Sequence, residues 1–380
     1  MPELNLKSQH ASSPAVSPQP GTGTGKPLSV TDLRKTYSGV TAVDTVSMEI
    51  AGGEFVTFLG SSGSGKTTTL MMIAGFCEPD SGSIVVGGRD VTRLAPQKRG
   101  LGFVFQQYLL FPHMTVWENV AFPLQLRGVP KAELRRRVGE TLEIAGLSAM
   151  ARRPRELSGG QQQRVALCRA LVYRPPVILM DEPLGALDKK LRDQLQTEIK
   201  RIQQELGLTV IYVTHDQEEA LVLSDRIAVM RDGLIDQFDT PRELFERPRT
   251  PFVADFLGAA NFLPGTVQQQ TSEQTLVRLD TGGLLNARSQ GGAEGAQVRA
   301  AVQPGRLRLC TPGDGFCTGT VETVTYVGTL VRVTVRPAGD AATGLVRLEL
   351  PAGQAPVIGE QASLTADPDD VSVFAVEGGG

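Results

Sequence analysis

Residues 55–72 run through an order of residue types that few folds accommodate. An apolar run (Phe55, Val56, Phe58, Leu59) leads into Gly60-Ser61-Ser62-Gly63-Ser64-Gly65-Lys66-Thr67, and Thr68, Thr69, Leu70, Met71 and Met72 follow. The first run reads as a buried strand and the last as the start of a helix. Between them, glycines let the backbone curl until successive N–H groups point inward, and the helix N-terminus adds a potential favourable to anions. The octet therefore predicts a phosphate-binding loop in which Lys66 reaches the β/γ-phosphates of a nucleotide and the Thr67 hydroxyl can ligand Mg²⁺. A plain Gly/Ser turn ahead of a helix would share the composition, so the decision falls to motifs further along.

Downstream, Leu157-Ser158-Gly159-Gly160-Gln161-Gln162-Gln163-Arg164 precedes Val177-Ile178-Leu179-Met180-Asp181-Glu182, an apolar run that closes on two carboxylates. That second run fits a parallel strand whose C-terminal end faces a ligand. In order, spacing and wording these motifs resemble the ATP-binding subunits of ABC transporters, over roughly residues 28–376. The resemblance implies ATP and Mg²⁺ as the bound groups. Ser158 also reads locally as the cap of a helix that starts before Gln161.

Composition sets bounds on what such a chain does. Its 380 residues leave room for two or three domains, and a net charge of −3 gives no basic surface for nucleic acid. Cys77, Cys168, Cys310 and Cys317 lack zinc or redox spacing, so free thiols in a reducing compartment are expected. No run approaches the ~20 apolar residues of a membrane-spanning helix. A transport role would accordingly need separate membrane subunits, with this chain held peripherally at the cytoplasmic face of the cell membrane.

The expected fold class is α/β: a P-loop NTPase with a mainly parallel sheet and a helical subdomain, followed by a small all-β, OB-like barrel. Residues 1–26, rich in Ser, Pro, Gly and Thr, read as a disordered tail. Residues 27–258 alternate apolar strands with helical segments and form the ATP-binding domain. Within it, about 107–172 is the helical subdomain carrying the signature motif, where Pro130-Lys131-Ala132-Glu133 opens a helix with Leu134, Val138 and Leu142 on its apolar side and Gly146 at its end. The Arg135-Arg136-Arg137 cluster reads as a solvated face. Residues 259–380 hold short β-like runs (298–302, 320–326, 330–335, 345–350, 371–376) between Gly, Pro and Asp turns. They resemble the transport-associated domain behind many importer ATPases. Val302-Gln303-Pro304-Gly305 stands where family members often read Ile-Arg-Pro-Glu, which puts a ligand role for that Arg/Glu pair in doubt.

The resemblance also assigns roles residue by residue. Gly60, Ser61, Ser62, Gly63, Ser64, Gly65, Lys66, Thr67 and Thr68 hold the nucleotide, and Tyr37 stacks on its adenine. Gln106 reaches the metal or the attacking water, Asp181 holds Mg²⁺ with Thr67, and Glu182 is the general base. His215, in Val213-Thr214-His215-Asp216, contacts the γ-phosphate. Asp188 links two active sites across a dimer, because Ser158, Gly159, Gly160 and Gln161 contact the nucleotide bound to the other copy. Tyr108, Leu109, Leu110 and Phe111 form either core or a groove for a membrane subunit. On a strand, adjacent carboxylates point opposite ways, which would let Asp181 serve the metal and Glu182 the water.

The expected function is the ATPase of an importer: two copies head to tail, two permease subunits, and indirectly an external solute-binding protein. Asn261-Phe262-Leu263-Pro264-Gly265 leans the solute toward spermidine or putrescine. Ferric iron, 2-aminoethylphosphonate and sugar are the alternatives. A different class is a soluble ABC-type ATPase without a permease, which would need two ATPase halves or a long coiled-coil insertion.

Overall fold

The computed structural model describes residues 25–148, 150–185, 187–288, 293–338 and 344–376. The tail expected over residues 1–26 lies outside the described residues as far as 24. Its last two residues are held in place. The Gly25 amide donates to Gly207 O and the Lys26 amide to Pro176 O, each at 3.0 Å. Composition is a poor guide there because the glycine is required by close approach: a Cβ on Gly25 would lie 2.5 Å from Gly207 O.

Six strands form the central sheet, in the spatial order Leu234–Asp239, Arg226–Arg231, Phe55–Leu59, Thr209–Thr214, Val177–Asp181 and Gly102–Val104. Every neighbouring pair is parallel except the first. Phe55–Leu59, Thr209–Thr214 and Val177–Asp181 are buried at every position. Burial on both faces explains why they read as unbroken apolar runs and not as alternation. Val56 and Phe58 pack on one side with Leu70, Met72 and Ile73 of helix Lys66–Ala74 and with Leu28 and Val30. The latter belong to a four-stranded antiparallel sheet (Val40–Ile50, Leu28–Tyr37, Ser81–Val86, Arg89–Asp90). Ile178, Met180, Val210 and Tyr212 pack on the other side against helices Gly159–Leu171 and Lys189–Leu206.

Helices Val116–Leu126 and Lys131–Ile144 share a smaller core with Gly159–Leu171, built on Val120, Leu124, Leu134, Val138, Leu142 and Val165. Arg136 and Arg137 pair with Glu133 and Glu140 one turn away, outside that core. Buried Asn119 ties the segment before the first of these helices to it. Its Oδ1 accepts from the Phe111 amide at 2.8 Å, and its Nδ2 donates to the carbonyls of Phe111, Met114 and Thr115.

Beyond residue 260 the chain forms two five-stranded antiparallel sheets. They enclose one core that includes Val277, Val298, Val331, Val333, Val335 and Leu364. Five strands coincide with the apolar runs of the sequence. Asn261–Gln270, Gln274–Leu279, Leu284–Arg288, Leu307–Cys310 and Gln361–Ala366 were not anticipated. Many of their outward positions carry Gln, Asn, Arg or Thr and one strand contains Pro264, so each shows only one to three buried apolar residues, Leu307 alone in Leu307–Cys310. The four cysteines are free thiols. Among the described residues, no helix is long and apolar enough to cross a membrane.

Asn119→Ala should lower unfolding stability by about 1–3 kcal/mol, because the Phe111 amide and Met114 O lose their partner and Phe111 O and Thr115 O keep only their backbone bonds. A urea titration checks this, and a midpoint equal to that of the native chain would show that these hydrogen bonds are replaced by water.

Candidate active site

The parallel register brings four chain exits to one edge of the central sheet. Leu59 stands opposite Thr214, Asp181 opposite Val213, and Val104 opposite Met180. Gly60, His215, Glu182 and, two residues past its strand, Gln106 therefore emerge side by side.

The loop after Leu59 is shaped by its glycines. A Cβ on Gly60 would lie 2.3 Å from Met230 O, and one on Gly65 would lie 2.6 Å from Ala42 O. Gly63 and Gly65 have φ of 83° and 99°, a region that L side chains rarely enter. Gly65 precedes helix Lys66–Ala74, and no side chain caps that end. Its amides thus remain available to an anion, the property a phosphate cradle needs. Ser61 and Ser62 are exposed, Ser64 is buried, and Thr68 is half-buried. The Lys66 ammonium, 5% exposed, donates to Gly60 O at 2.8 Å and to Ser61 O at 2.7 Å. Burial pushes its pKa down, and the nearby Glu182 and Asp181 charges oppose that shift.

Thr67 Oγ1 donates to Asp181 Oδ1 at 3.1 Å. Burial pushes the Asp181 carboxyl up, with the Thr67 hydrogen bond acting against it. This hydroxyl–carboxylate pair is a hard-oxygen donor set, and it fits a Mg²⁺ carried in with nucleotide phosphates.

Glu182 sits differently from the strand-alternation expectation. The strand ends at Asp181, and Glu182 turns off it with φ of 42° while its amide donates to Val213 O at 3.0 Å. A left-handed turn, not a pleat, aims this side chain. Glu182 Oε1 lies 3.2 Å from His215 Nδ1, and Glu182 Oε2 accepts from Gln106 Nε2 at 3.3 Å. Gln106 and His215 are both exposed.

Tyr37 ends its strand 48% exposed, and its hydroxyl is hydrogen-bonded to Cys77 Sγ at 2.9 Å. That contact raises the Tyr37 pKa. Ser158 caps helix Gly159–Leu171 in a capping box with Gln161. Gly160 faces the Leu191 side chain, whose Cδ1 a Cβ would meet at 2.8 Å. Asp188 caps helix Lys189–Leu206 by accepting from the Leu191 amide at 3.0 Å. Ser158, Gly159, Gly160, Gln161 and Asp188 have no hydrogen bond to the Lys66 loop among those described. Tyr108 belongs to the core, 8% exposed against Ala166 and Leu167, whereas Leu109 is 52% exposed. Tyr108 and the partly buried Leu110 thus follow the core reading, and Leu109 lies outside it.

Sequence reasoning passed over Cys77 and Asp80, which reach Tyr37 and Lys35 across the fold, and Arg192, whose hydrogen bonds join two loops. Nothing in their local sequence marks them.

A family model described as ABC transporter matches residues 43–185, and one described as TOBE domain matches residues 300–374. The spermidine/putrescine import ATP-binding protein PotA of Rubrobacter xylanophilus is 51% identical over 318 residues, covering 82% of this chain and 84% of the relative. The chain belongs to the ATP-binding subunits of ABC importers. It is an ABC-type ATPase. The Fe(3+) ions import ATP-binding protein FbpC of Agrobacterium fabrum is 48% identical over 308 residues, covering 80% of this chain and 87% of the relative. Among solved structures, a dimeric ATP-binding cassette in a post-hydrolysis state with ADP and Pi shares 36% identity at a TM-score of 0.51. It covers 57% of this chain and 99% of that cassette.

Gly65→Ala combines a forbidden φ with a backbone clash and should weaken nucleotide binding by well over about tenfold, whereas Gly63→Ala, with φ unfavourable but open space around it, should weaken it less. Titration with a fluorescent ATP analogue orders the two; equal affinities would mean that the loop does not hold the phosphates in this shape.

Proposed function

We propose that this chain hydrolyses ATP at a site built from its own Lys66 loop, Asp181, Glu182, Gln106 and His215 and completed by Ser158 to Gln161 of a second copy. The observation that carries the reading is the trio around one carboxylate: Glu182 lies within hydrogen-bond reach of both Gln106 and His215, at the sheet edge where the Lys66 loop begins. A general base must be held in reach of its proton, and here an amide and an imidazole hold it. The loop amides and Lys66 bind and orient the phosphates, with the ammonium already desolvated where negative charge gathers. Thr67 and Asp181 would hold Mg²⁺, which supplies charge neutralisation at the transferring phosphoryl group. Glu182 accepts the proton of the attacking water, and His215 and Gln106 fix the carboxylate's direction. Tyr37 presents a ring face for the adenine, which needs only a π surface.

Two copies facing head to tail would place Ser158, the cap at the start of helix Gly159–Leu171, against the partner's nucleotide. ATP then joins the copies and hydrolysis releases them. The dimeric cassette among the structural neighbours supports this arrangement. Exposed Leu109, on the Gln106 segment, is the contact proposed for a permease subunit at the cytoplasmic face of the membrane.

The proposed solute is spermidine or putrescine, supported by relatives of that printed function from three organisms at about half identity. Ferric iron is the second reading, supported by the FbpC relatives at 48% and 47%.

Glu182→Gln should leave ATP binding intact, reduce turnover by about 10²-fold or more and yield an ATP-stabilised dimer on size exclusion. An unchanged rate would remove Glu182 from the base role. In cells, uptake of labelled spermidine that collapses with Glu182→Gln would support the polyamine reading. Uptake that persists while labelled ferric iron uptake collapses would replace it with iron.

A further inference from the structure

Arg192 lies one turn into helix Lys189–Leu206 and is half-buried. Its guanidinium meets two loops and the helix that follows the second. Nη2 donates to Leu187 O at 3.1 Å, in the turn that runs from Glu182 to Asp188. Nη1 donates to Asp216 Oδ2 at 2.7 Å, directly after His215. Nε faces Glu219 Oε1 at 3.6 Å, too long for a hydrogen bond, and is left without a partner although buried. Each acceptor is itself fixed. Asp216 Oδ1 caps helix Gln217–Leu223 through the amides of Glu218 and Glu219. Glu219, 2% exposed, accepts from the hydroxyls of Tyr212 and Thr214 on the strand that delivers His215. On the other side, Gly185 N donates to Glu182 O and Leu187 N to Leu184 O, so the turn held by Arg192 begins at Glu182.

These bonds close a ring: Glu182, the turn to Leu187, Arg192, Asp216, His215, and back to Glu182 through the 3.2 Å contact with Nδ1. We propose that Arg192 is a positioning residue for hydrolysis, a bolt that sets the Asp188 turn and the His215 turn as one unit so that Glu182 and His215 meet in register. The inference rests on the assignment of Glu182 and His215 above. Arginine suits the place because its planar fork serves a carbonyl and a carboxylate in fixed directions, which an ammonium cannot do. A purely electrostatic role would need only a positive charge near Glu219.

The test uses the purified full-length chain, reading kcat, KM for ATP and thermal midpoint. Arg192→Gln should lower kcat by between about 10- and 100-fold with KM changed by less than about threefold, since misplacement of reacting groups and not loss of binding is at stake. Arg192→Lys, which keeps the charge but loses the fork, should recover only part of the rate. Arg192→Gln also strands the buried Glu219 charge and lowers stability. Arg192→Gln/Glu219→Gln should restore the thermal midpoint while leaving kcat low. Recovery of kcat with the midpoint would reduce Arg192 to a partner for a buried charge and overturn the proposal, as would native kcat in Arg192→Gln. Glu182→Gln serves as the control. If it retains turnover, the underlying site assignment fails; if it loses turnover while Arg192→Gln does not, only the positioning role fails.

Discussion

The pairing of Val177–Asp181 with Thr209–Thr214 is the constraint on which the site depends. Parallel strands share a direction, so their C-terminal ends reach the same edge, and the register fixes which residue stands beside which. With Asp181 opposite Val213, the Glu182 amide finds Val213 O, and that one hydrogen bond holds Glu182 in its left-handed turn. A slip of one residue would turn every side chain of the strand to the other face and separate Glu182 from His215. Burial on both faces forbids the slip, because Ile178 and Met180 would trade places with Val177 and Leu179 in cores that differ in shape. The same apolar pressure that stabilises the sheet therefore specifies the geometry of the chemistry.

Charge in the site is held under opposing pressures. Burial disfavours the charged forms of both Lys66 and Asp181, while each favours the other's charge. Water has already been removed from around the ammonium, and backbone carbonyls of Gly60 and Ser61 stand in for it. On the proposed reading, an incoming phosphate would exchange those carbonyls for formal negative charge in a place where screening is weak. The ammonium would then trade two carbonyl partners for phosphate oxygens without first having to shed bulk water.

The sequence disclosed those parts of the fold in which one residue type has a single physical use. Glycines at 60, 63 and 65 are needed for close approach or positive φ, and the runs 55–59 and 177–181 are apolar because both faces are covered. Asp181, Glu182, Gln106 and His215 stand at or just past the ends of such runs, and the family resemblance supplied the roles expected of them. Two kinds of feature were hidden. Half-exposed strands such as Gln274–Leu279 show too few apolar positions to stand out, and Gly25 looks like linker until Gly207 O approaches it. Contacts across long sequence separations were hidden as well. Cys77 on the Tyr37 hydroxyl and Arg192 between two loops have no local signature, because their meaning resides in what the topology places opposite them.

The join between the ATPase and the C-terminal sheets follows from small residues and a few directed bonds. Ala254, Ala260 and Ala301 pack with Phe374, so the backbones approach closely with little side-chain bulk between them. Gln303 Nε2 donates to Phe245 O at 3.1 Å, and its amide presses on Gly258, where a Cβ would come within 2.7 Å of it. Asn261 bonds both Val302 O and the backbone of Arg347, while Arg347 returns a hydrogen bond to Ala259 O. Gln303 thus has a structural use at the position where resembling chains carry arginine: its side chain is spent on the domain contact. That short apolar patch and the Gln303 bond are contacts through which the two units touch. A shift of the sheets that breaks the Gln303 bond leaves Phe245 O without its partner and opens the space over Gly258. Helices Pro241–Glu246 and Pro251–Gly258, which carry Phe245 and Gly258, are therefore the elements that this contact touches before the β domain.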